Sequence, residues 1–346
     1  MFFASDNSGP AHPSVLNAMT RANEGFRTGY GADKEMDNVR QLVRDLFEAP
    51  DAAVYLVATG TAANAIALGT LAQPWDALFC TKMSHINEDE CNAPEFYSGA
   101  KLTLVPDENA KMTAATLAAT IEAEETRGVH GPQRGPVSIT QVTEKGTVYT
   151  LGELKALSDV AKSYGLKTHL DGARFSNAIV TLGCTPAEMT WKAGIDVACF
   201  GGTKNGLMGV EAVVIFDPDL AWEFELRRKR GAHLFSKHRF LSAQMEAYLM
   251  DNLWLELATQ ANGSGQRLAE GLRTSGVATF DYEPEANLMF FKMARGLHKK
   301  VQNAGAYYYL MGSLDGPDDE LVEGRLVCDW SVGPDGVDAF LSALNA

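Results

Sequence analysis

The chain has 346 residues, of which 46% are hydrophobic and 21% charged, and its formal net charge is -14. Such a composition suits a globular protein large enough for one sizeable domain and a smaller one. The acidic balance argues against a nucleic-acid surface, which needs a basic patch, and no apolar run is long enough to cross a membrane. The one dense basic run, Arg227-Arg228-Lys229-Arg230, lies in a charge-mixed helical context and reads as a solvated face. Five scattered cysteines with no CxxC pair point to a reducing compartment without a disulfide framework. The N-terminus lacks the basic segment and apolar core of a secretion signal, so the cytoplasm is the expected location.

Taken in order, residues 1–30 read as an N-terminal arm. The arm holds a turn cluster at Ser5-Asp6-Asn7-Ser8-Gly9-Pro10, a short helix over His12–Asn23 and a loop at Gly29-Tyr30-Gly31. Such an arm is commonly a surface tail, although its mix of aromatic, Asp and Ser residues leaves room for a role in a site. From Asp33, apolar residues at Val39, Leu42, Val43, Leu46 and Phe47 keep helical spacing until Pro50. Val54–Ala58 predicts a strand. Gly60-Thr61-Ala62 then opens an Ala/Leu-rich helix to about Leu71. Free N–H groups at such a helix start make an anion seat. Further strands are expected at Ala77–Thr81, Leu102–Val105 and Val137–Thr143, with a helix near Thr113–Glu125 and a loop at Gly128–Pro136. A helical stripe over Leu151–Tyr164 precedes two short apolar runs, Leu166–Leu170 and Ile195–Phe200, and Val210–Phe216 follows. Strand and helix alternate from about residue 39 to 216, which predicts a mostly parallel α/β sheet covered by helices.

Beyond residue 216 the alternation gives way. Ala221–Arg230 and a long stretch over Arg239–Ala261 read as helical. Strands are expected at Ala278–Tyr282, Leu288–Met293, Tyr307–Leu310 and Arg325–Trp330, with helices at Gly296–Asn303 and Val337–Leu344. This order predicts a large domain over 31–259 and a small α+β domain over 260–346.

The centre of the pattern is Thr168 to Gly206. Two buried strands there end in ionisable residues, Asp171 in Asp171-Gly172-Ala173-Arg174 and Lys204 in Gly201-Gly202-Thr203-Lys204-Asn205-Gly206. The carboxyl edge of an open α/β sheet is where ligands bind. An acid and a lysine there suit pyridoxal phosphate (PLP): the amine can form a Schiff base, and the carboxylate can keep the pyridine nitrogen protonated. Alone, each has a plainer reading, Asp-Gly as a turn and Lys as a surface charge. Their combination with the Gly60 helix start makes the case.

Ser5-Asp6-Asn7, Tyr30-Gly31, Gly60-Thr61, His85, Asp171-Gly172-Ala173-Arg174, Lys204 and Arg325 lie in the order seen in L-threonine aldolases, which the chain resembles over nearly its whole length. Those are PLP enzymes of fold type I, the aspartate aminotransferase-like fold. Gly-Gly-Thr-Lys-Asn-Gly resembles the bacterial low-specificity and phenylserine aldolase branch. The more widespread version has Ser-Lys-Gly, so Asn205 is a departure. The resemblance implies that Lys204 holds the cofactor, Asp171 meets its ring nitrogen, Gly60, Thr61 and Ala62 seat its phosphate with Thr203 close by, and Arg174 lies near the ring oxygen. It implies that His85 stacks on the ring near the substrate hydroxyl and that His130 is a second active-site histidine. By the same resemblance Arg325, Arg174 and Ser5 bind the substrate carboxylate, Arg239 lies near the phosphate or carboxylate, and Tyr30 reaches the neighbouring subunit's cofactor, in a homodimer or homotetramer. The acids Glu88, Asp89 and Glu90 read as an exposed helix start, since their spacing is wrong for zinc, and no metal is expected.

The implied reaction is cleavage of L-threonine, L-allo-threonine or a related L-β-hydroxy-α-amino acid such as L-phenylserine to glycine and an aldehyde. The base is His85, His130 or a water between them. The competing readings are another fold-type-I PLP enzyme, such as a β-eliminating lyase or a serine hydroxymethyltransferase, and a non-catalytic binding protein of the same fold.

Overall fold

A computed structural model describes residues 1–346. Its strands are β1 (Ala53–Val57), β2 (Asp76–Thr81), β3 (Lys101–Val105), β4 (Asp107–Glu108), β5 (Lys111–Met112), β6 (Gln133–Thr140), β7 (Thr168–Asp171), β8 (Val197–Gly201), β9 (Glu211–Ile215), β10 (Leu288–Ala294), β11 (Tyr309–Met311) and β12 (Leu321–Val327). Seven form the main sheet in the order β1-β9-β8-β7-β6-β2-β3. Strand β9 runs against both of its neighbours, and the pairs from β8 across to β3 are parallel. The sheet expected from the alternating pattern is therefore present. Apart from the partly exposed edge strand β3, its strands are buried on both faces, which is why they read as apolar runs without polar alternation.

The covering helices start where side chains can cap them. Asp33 accepts from the Met36 N–H at 3.0 Å and opens Lys34–Leu46, which buries Met36, Val39 and Val43. Thr150 and Glu153 form a reciprocal cap at the start of Leu151–Ser163. Helix Gly60–Leu71 is buried almost throughout, which explains its Ala/Leu composition. On one face of the sheet, Phe200 is ringed by Phe175 at 5.1 Å and by Phe47, Tyr248 and Trp254, each at 5.8 Å between centroids.

The C-terminal sheet has the order β10-β12-β11. The first residues of the chain belong to it. Phe2 bridges Tyr307, Val327 donates to the Phe3 carbonyl at 2.8 Å, and the buried Phe3 ring meets Phe340 edge-on at 5.5 Å. The arm is thus not a surface tail at its start. Residue 260 falls inside an unbroken helix, Leu253–Ser275. Leu253, Trp254 and Leu257 pack on the main core, whereas Leu268, Ala269 and Leu272 pack on the small one.

Several elements differ from expectation. Strand β6 begins at Gln133 rather than Val137, because Gln133 and Arg134 pair with Asp76 and Ala77. The helical stretch from Arg239 is broken after Leu249 by the left-handed residues Asp251 and Asn252. Ala278–Tyr282 is not a strand and keeps only the bridge between Thr279 and Lys292. A helix not read from the sequence, Phe175–Leu182, starts directly after Arg174.

His169 on β7 is fully buried, with Nδ1 3.0 Å from the Ser138 hydroxyl and Nε2 3.3 Å from Cys199 Sγ. Burial pushes its pKa down to about 4. The unfolded chain therefore binds a proton that the folded chain refuses between pH 6.5 and 4, and stability falls as pH drops through that window. The expected loss is about 3 kcal/mol. Urea midpoints from pH 8 to 4 should show that part of the acid destabilisation absent in His169→Gln.

Candidate active site

Parallel pairing of β7 with β8 sets Asp171 and the turn carrying Lys204 side by side at the carboxyl edge of the sheet. No other residue type fits at Gly172, where a Cβ would collide with the Cys199 carbonyl of β8. The turn is held from behind by Asn205. Its amide donates to the Tyr248 hydroxyl at 2.7 Å and to the Trp254 carbonyl at 2.8 Å. The departure at Asn205 therefore ties Lys204 to the helices behind the sheet. Gly206 adopts φ +94°, a conformation that strongly favours glycine.

Two cavities meet at Lys204. The smaller, of about 260 Å³, is lined by Thr59, Gly60, Thr61, Asn64, Asp171, Thr203 and Glu211 among others. The larger, of about 870 Å³, takes in Ser5, Glu144, Arg174 and Arg325. Asn7, His85 and Lys204 line both.

Asp171 is fixed in the small cavity. One oxygen accepts from the Ala173 N–H at 3.0 Å and the other from Asn64 Nδ2 at 2.9 Å. Thr59 caps the Gly60 helix by accepting from the Ala62 N–H at 3.1 Å. That bond corrects the expectation for Ala62, whose N–H is already used and which does not line the cavity. The N–H groups of Gly60 and Thr61 precede any intrahelical acceptor and stay free. A Cβ at Gly60 would meet nothing within 4 Å, so the backbone there faces open space. Thr203 lines the same wall, its hydroxyl accepting from the Val210 N–H at 3.2 Å. Burial, then the charge of Arg174, holds the Lys204 amine below its usual pKa. Burial pushes Glu211 up to about 7, with its Oε2 accepting from the Gly202 N–H at 2.8 Å.

His85 Nδ1 lies 2.8 Å from Glu90 Oε1, and that same oxygen accepts from Asn64 at 2.9 Å. The bond to Glu90 raises the His85 pKa. Glu90 is 4% exposed, so it is a buried partner of the site and not part of an exposed acidic helix start. Arg174 is locked by Asp6 through bonds of 2.7 and 2.9 Å. The Arg325 guanidinium makes no hydrogen bond or ion pair within the chain and lies 5.9 Å from the Tyr309 ring. Ser5 lines the same cavity, with its hydroxyl accepting from the Asn7 N–H.

Three expected residues lie elsewhere. His130 is exposed in a turn before the first residue of β6, at the amino edge of the sheet. The active edge is at the far end of that eight-residue strand, about 23 Å away at a rise of about 3.3 Å per residue. His130 therefore lines neither cavity of its own chain. Arg239 and Tyr30 line neither cavity of their own chain. Arg239 donates to the Gly25 carbonyl at 2.9 Å, and Tyr30, 54% exposed, has its N–H on the Ser236 carbonyl at 3.1 Å. Sequence reasoning missed Asn7, Thr59, Asn64, Glu144 and Glu211. The helical spacing of Asn64 from Gly60 could have pointed to it. Thr59 stands at the N-cap position just before Gly60, a local signal, and the others depend on contacts between distant segments.

The donor set fits PLP: a buried amine, an anchored carboxylate, and paired free N–H groups at the end of a long helix. The model of the beta-eliminating lyase family matches residues 3–295. The chain belongs to that family. A low-specificity L-threonine aldolase of Pseudomonas sp. (strain NCIMB 10558) is 41% identical over 329 residues, 95% of this chain and 92% of the relative. The Pseudomonas aeruginosa protein of the same name is 40% identical over the same span. The structure of a Leishmania major threonine aldolase superposes with TM-score 0.92 at 29% identity, over 99% of this chain and 98% of that one. This lyase therefore falls with the L-threonine aldolases, as the motif order implied.

Replacing Asn205 with Ala removes two buried hydrogen bonds. We expect a loss of about 1–3 kcal/mol in denaturant melts, together with weaker PLP retention on dialysis as the Lys204 turn loosens.

Proposed function

We propose that the protein is a PLP-dependent lyase cleaving L-threonine and related L-β-hydroxy-α-amino acids to glycine and an aldehyde. The observation that carries this reading is the placement of Lys204 and Asp171 on adjacent strand ends, facing one cavity whose opposite wall offers the free N–H groups of Gly60 and Thr61. PLP supplies, when bound, an electron-accepting ring that takes up the electron pair left at Cα.

The protein's own groups set up the rest. The lowered pKa of Lys204 leaves more of its amine unprotonated and nucleophilic near neutral pH. Asp171, held by Asn64 and Ala173, presents a fixed carboxylate to the ring nitrogen. The helix start at Gly60 and Thr61 receives the phosphate, with the Thr203 hydroxyl on the same wall. Arg325, free of any protein acceptor, suits the substrate carboxylate through its two-pronged donor set, with Ser5 and Arg174 on the same cavity. His85, gripped by Glu90, keeps its ring orientation at the junction of the two cavities.

The same reading extends to assembly. Tyr30 and Arg239 lie near the loop around Ser236, outside their own site. A homodimer or homotetramer in which they complete the partner's phosphate pocket gives both a role. Sedimentation should return a dimer or larger, and Tyr30→Ala should weaken PLP binding without unfolding the chain.

The functional test incubates the PLP-loaded protein with L-threonine and with L-phenylserine, beside Lys204→Ala. Glycine and aldehyde in equal amounts from the wild type alone are expected. Ammonia and a keto acid would instead place it with the eliminating lyases.

A further inference from the structure

Within one chain, the candidate proton acceptors for the substrate's β-hydroxyl are the residues that line the large cavity. His85 is tied at Nδ1 to the buried Glu90, whose hydrogen bond raises its pKa and fixes the orientation of its ring. Glu144 lies across from it, on the segment that follows β6 at the active edge, and lines the large cavity together with His85, Lys204 and Arg325. One of its oxygens, Oε1, accepts from the His85 backbone N–H at 2.7 Å. The other, Oε2, is buried with no hydrogen-bond partner. An uncommitted carboxylate oxygen in a buried setting is costly and is rarely kept without a use.

We propose that Glu144 is the acid–base residue that takes the proton from the substrate's β-hydroxyl, an inference that rests on the retro-aldol reading above. Burial pushes the Glu144 pKa up to about 7, and the Asp171 charge adds to that. A base serves best with a pKa near the working pH. Other groups on the cavity bear on its titration. Glu88 and Asp89 beside His85, and Asp107 of the β4–β5 hairpin, favour the protonated form, while Lys82, Lys145, Arg174, Lys204 and Arg325 favour the carboxylate. In the step itself, the O–H bond breaks and its proton passes to Glu144. The oxygen's electron pair forms the carbonyl of the departing aldehyde as Cα–Cβ breaks, and the Cα–Cβ pair stays with Cα, where bound PLP would supply the electron sink. Cα then takes a proton by way of Lys204 to complete glycine, and Glu144 releases its own proton to solvent, which restores the carboxylate. No oxidant or further reactant is consumed. His85 then acts as a fixed donor beside the reacting oxygen, held at its backbone by the same residue that does the proton transfer.

The test uses holoenzyme carrying Glu144→Gln and Glu144→Asp, with three readouts. The first is the absorption of bound PLP and its change on adding glycine. The second is exchange of the glycine α-proton in deuterium oxide, followed by NMR, which needs the cofactor and Lys204 but no β-hydroxyl base. The third is cleavage of L-threonine as a function of pH. The proposal expects Glu144→Gln to keep the spectrum and to exchange glycine within a few-fold of wild type. Its cleavage should fall by about 10²–10⁴ and lose the limb near pH 7 that wild type shows. Glu144→Asp should recover part of the rate with the limb displaced. Cleavage by Glu144→Gln within threefold of wild type, with the same pH profile, would overturn the proposal. So would equal losses of exchange and cleavage, which would make Glu144 a positioning group for His85. Wild-type protein that exchanges glycine but cleaves neither threonine nor phenylserine would sink the retro-aldol reading, a result distinguishable from failure of Glu144 alone.

Discussion

The two-pronged pair between Asp6 and Arg174 joins the three parts of the chain at one buried point. Asp6 comes from the arm, Arg174 from the turn after β7, and Asn287 of the C-terminal domain donates to the same carboxylate at 3.2 Å. Burial alone would raise the Asp6 pKa, but Arg174 and Lys204 overcome it and hold the carboxyl below its usual value. Breaking such a pair leaves an uncompensated buried charge, at a cost of about 3–5 kcal/mol. Both partners border the ligand region. Ser5 and Asn7, either side of Asp6, line the cavities, and Arg174 lines the larger one. The geometry of the arm, the sheet edge and the small domain thus depends on one ionised contact.

Charge is arranged in layers around that contact. Lys204, Arg174 and Arg325 face the cavities, and their mutual repulsion is part of what lowers the pKa of Lys204 and Arg325. Asp6 and Asp171 balance them, both anchored by donors. Two further carboxyls, the half-buried Glu144 and the buried Glu211, have pKa values pushed up to about 7. A site of this kind favours an incoming anion on its basic side and keeps proton-exchanging groups within reach of neutral pH. The paired free N–H groups of the Gly60 helix add a second anion seat without adding a side-chain charge.

Parts of this were legible in the linear chain. Asp171 and Lys204 ended apolar runs, and a buried parallel strand is the plainest signal an apolar run can carry. Gly60-Thr61 was legible because a helix start leaves N–H groups free whatever the tertiary context. The large domain's helices followed from spacing and caps. The signal weakened where packing decides. The break at Asp251 and Asn252 interrupts an unbroken helical pattern, and Ala278–Tyr282 has strand-like residues but keeps only a single bridge to its neighbour.

By itself, then, the sequence determined the element order, the α/β class, the family and the residues that motif order marks, because periodicity, caps and strand-end chemistry are local properties. Only the tertiary structure decided which ionisable groups meet. It kept His130 out of the cavities of its own chain, because the turn that carries it precedes β6 and so lies at the amino edge of the sheet. It turned Glu90 from a surface acid into the buried partner of His85, and brought Glu144 under the His85 backbone from 59 residues away. Those outcomes depend on strand register and on the crossing of separate loops at one sheet edge, and neither is written in the spacing of neighbouring residues.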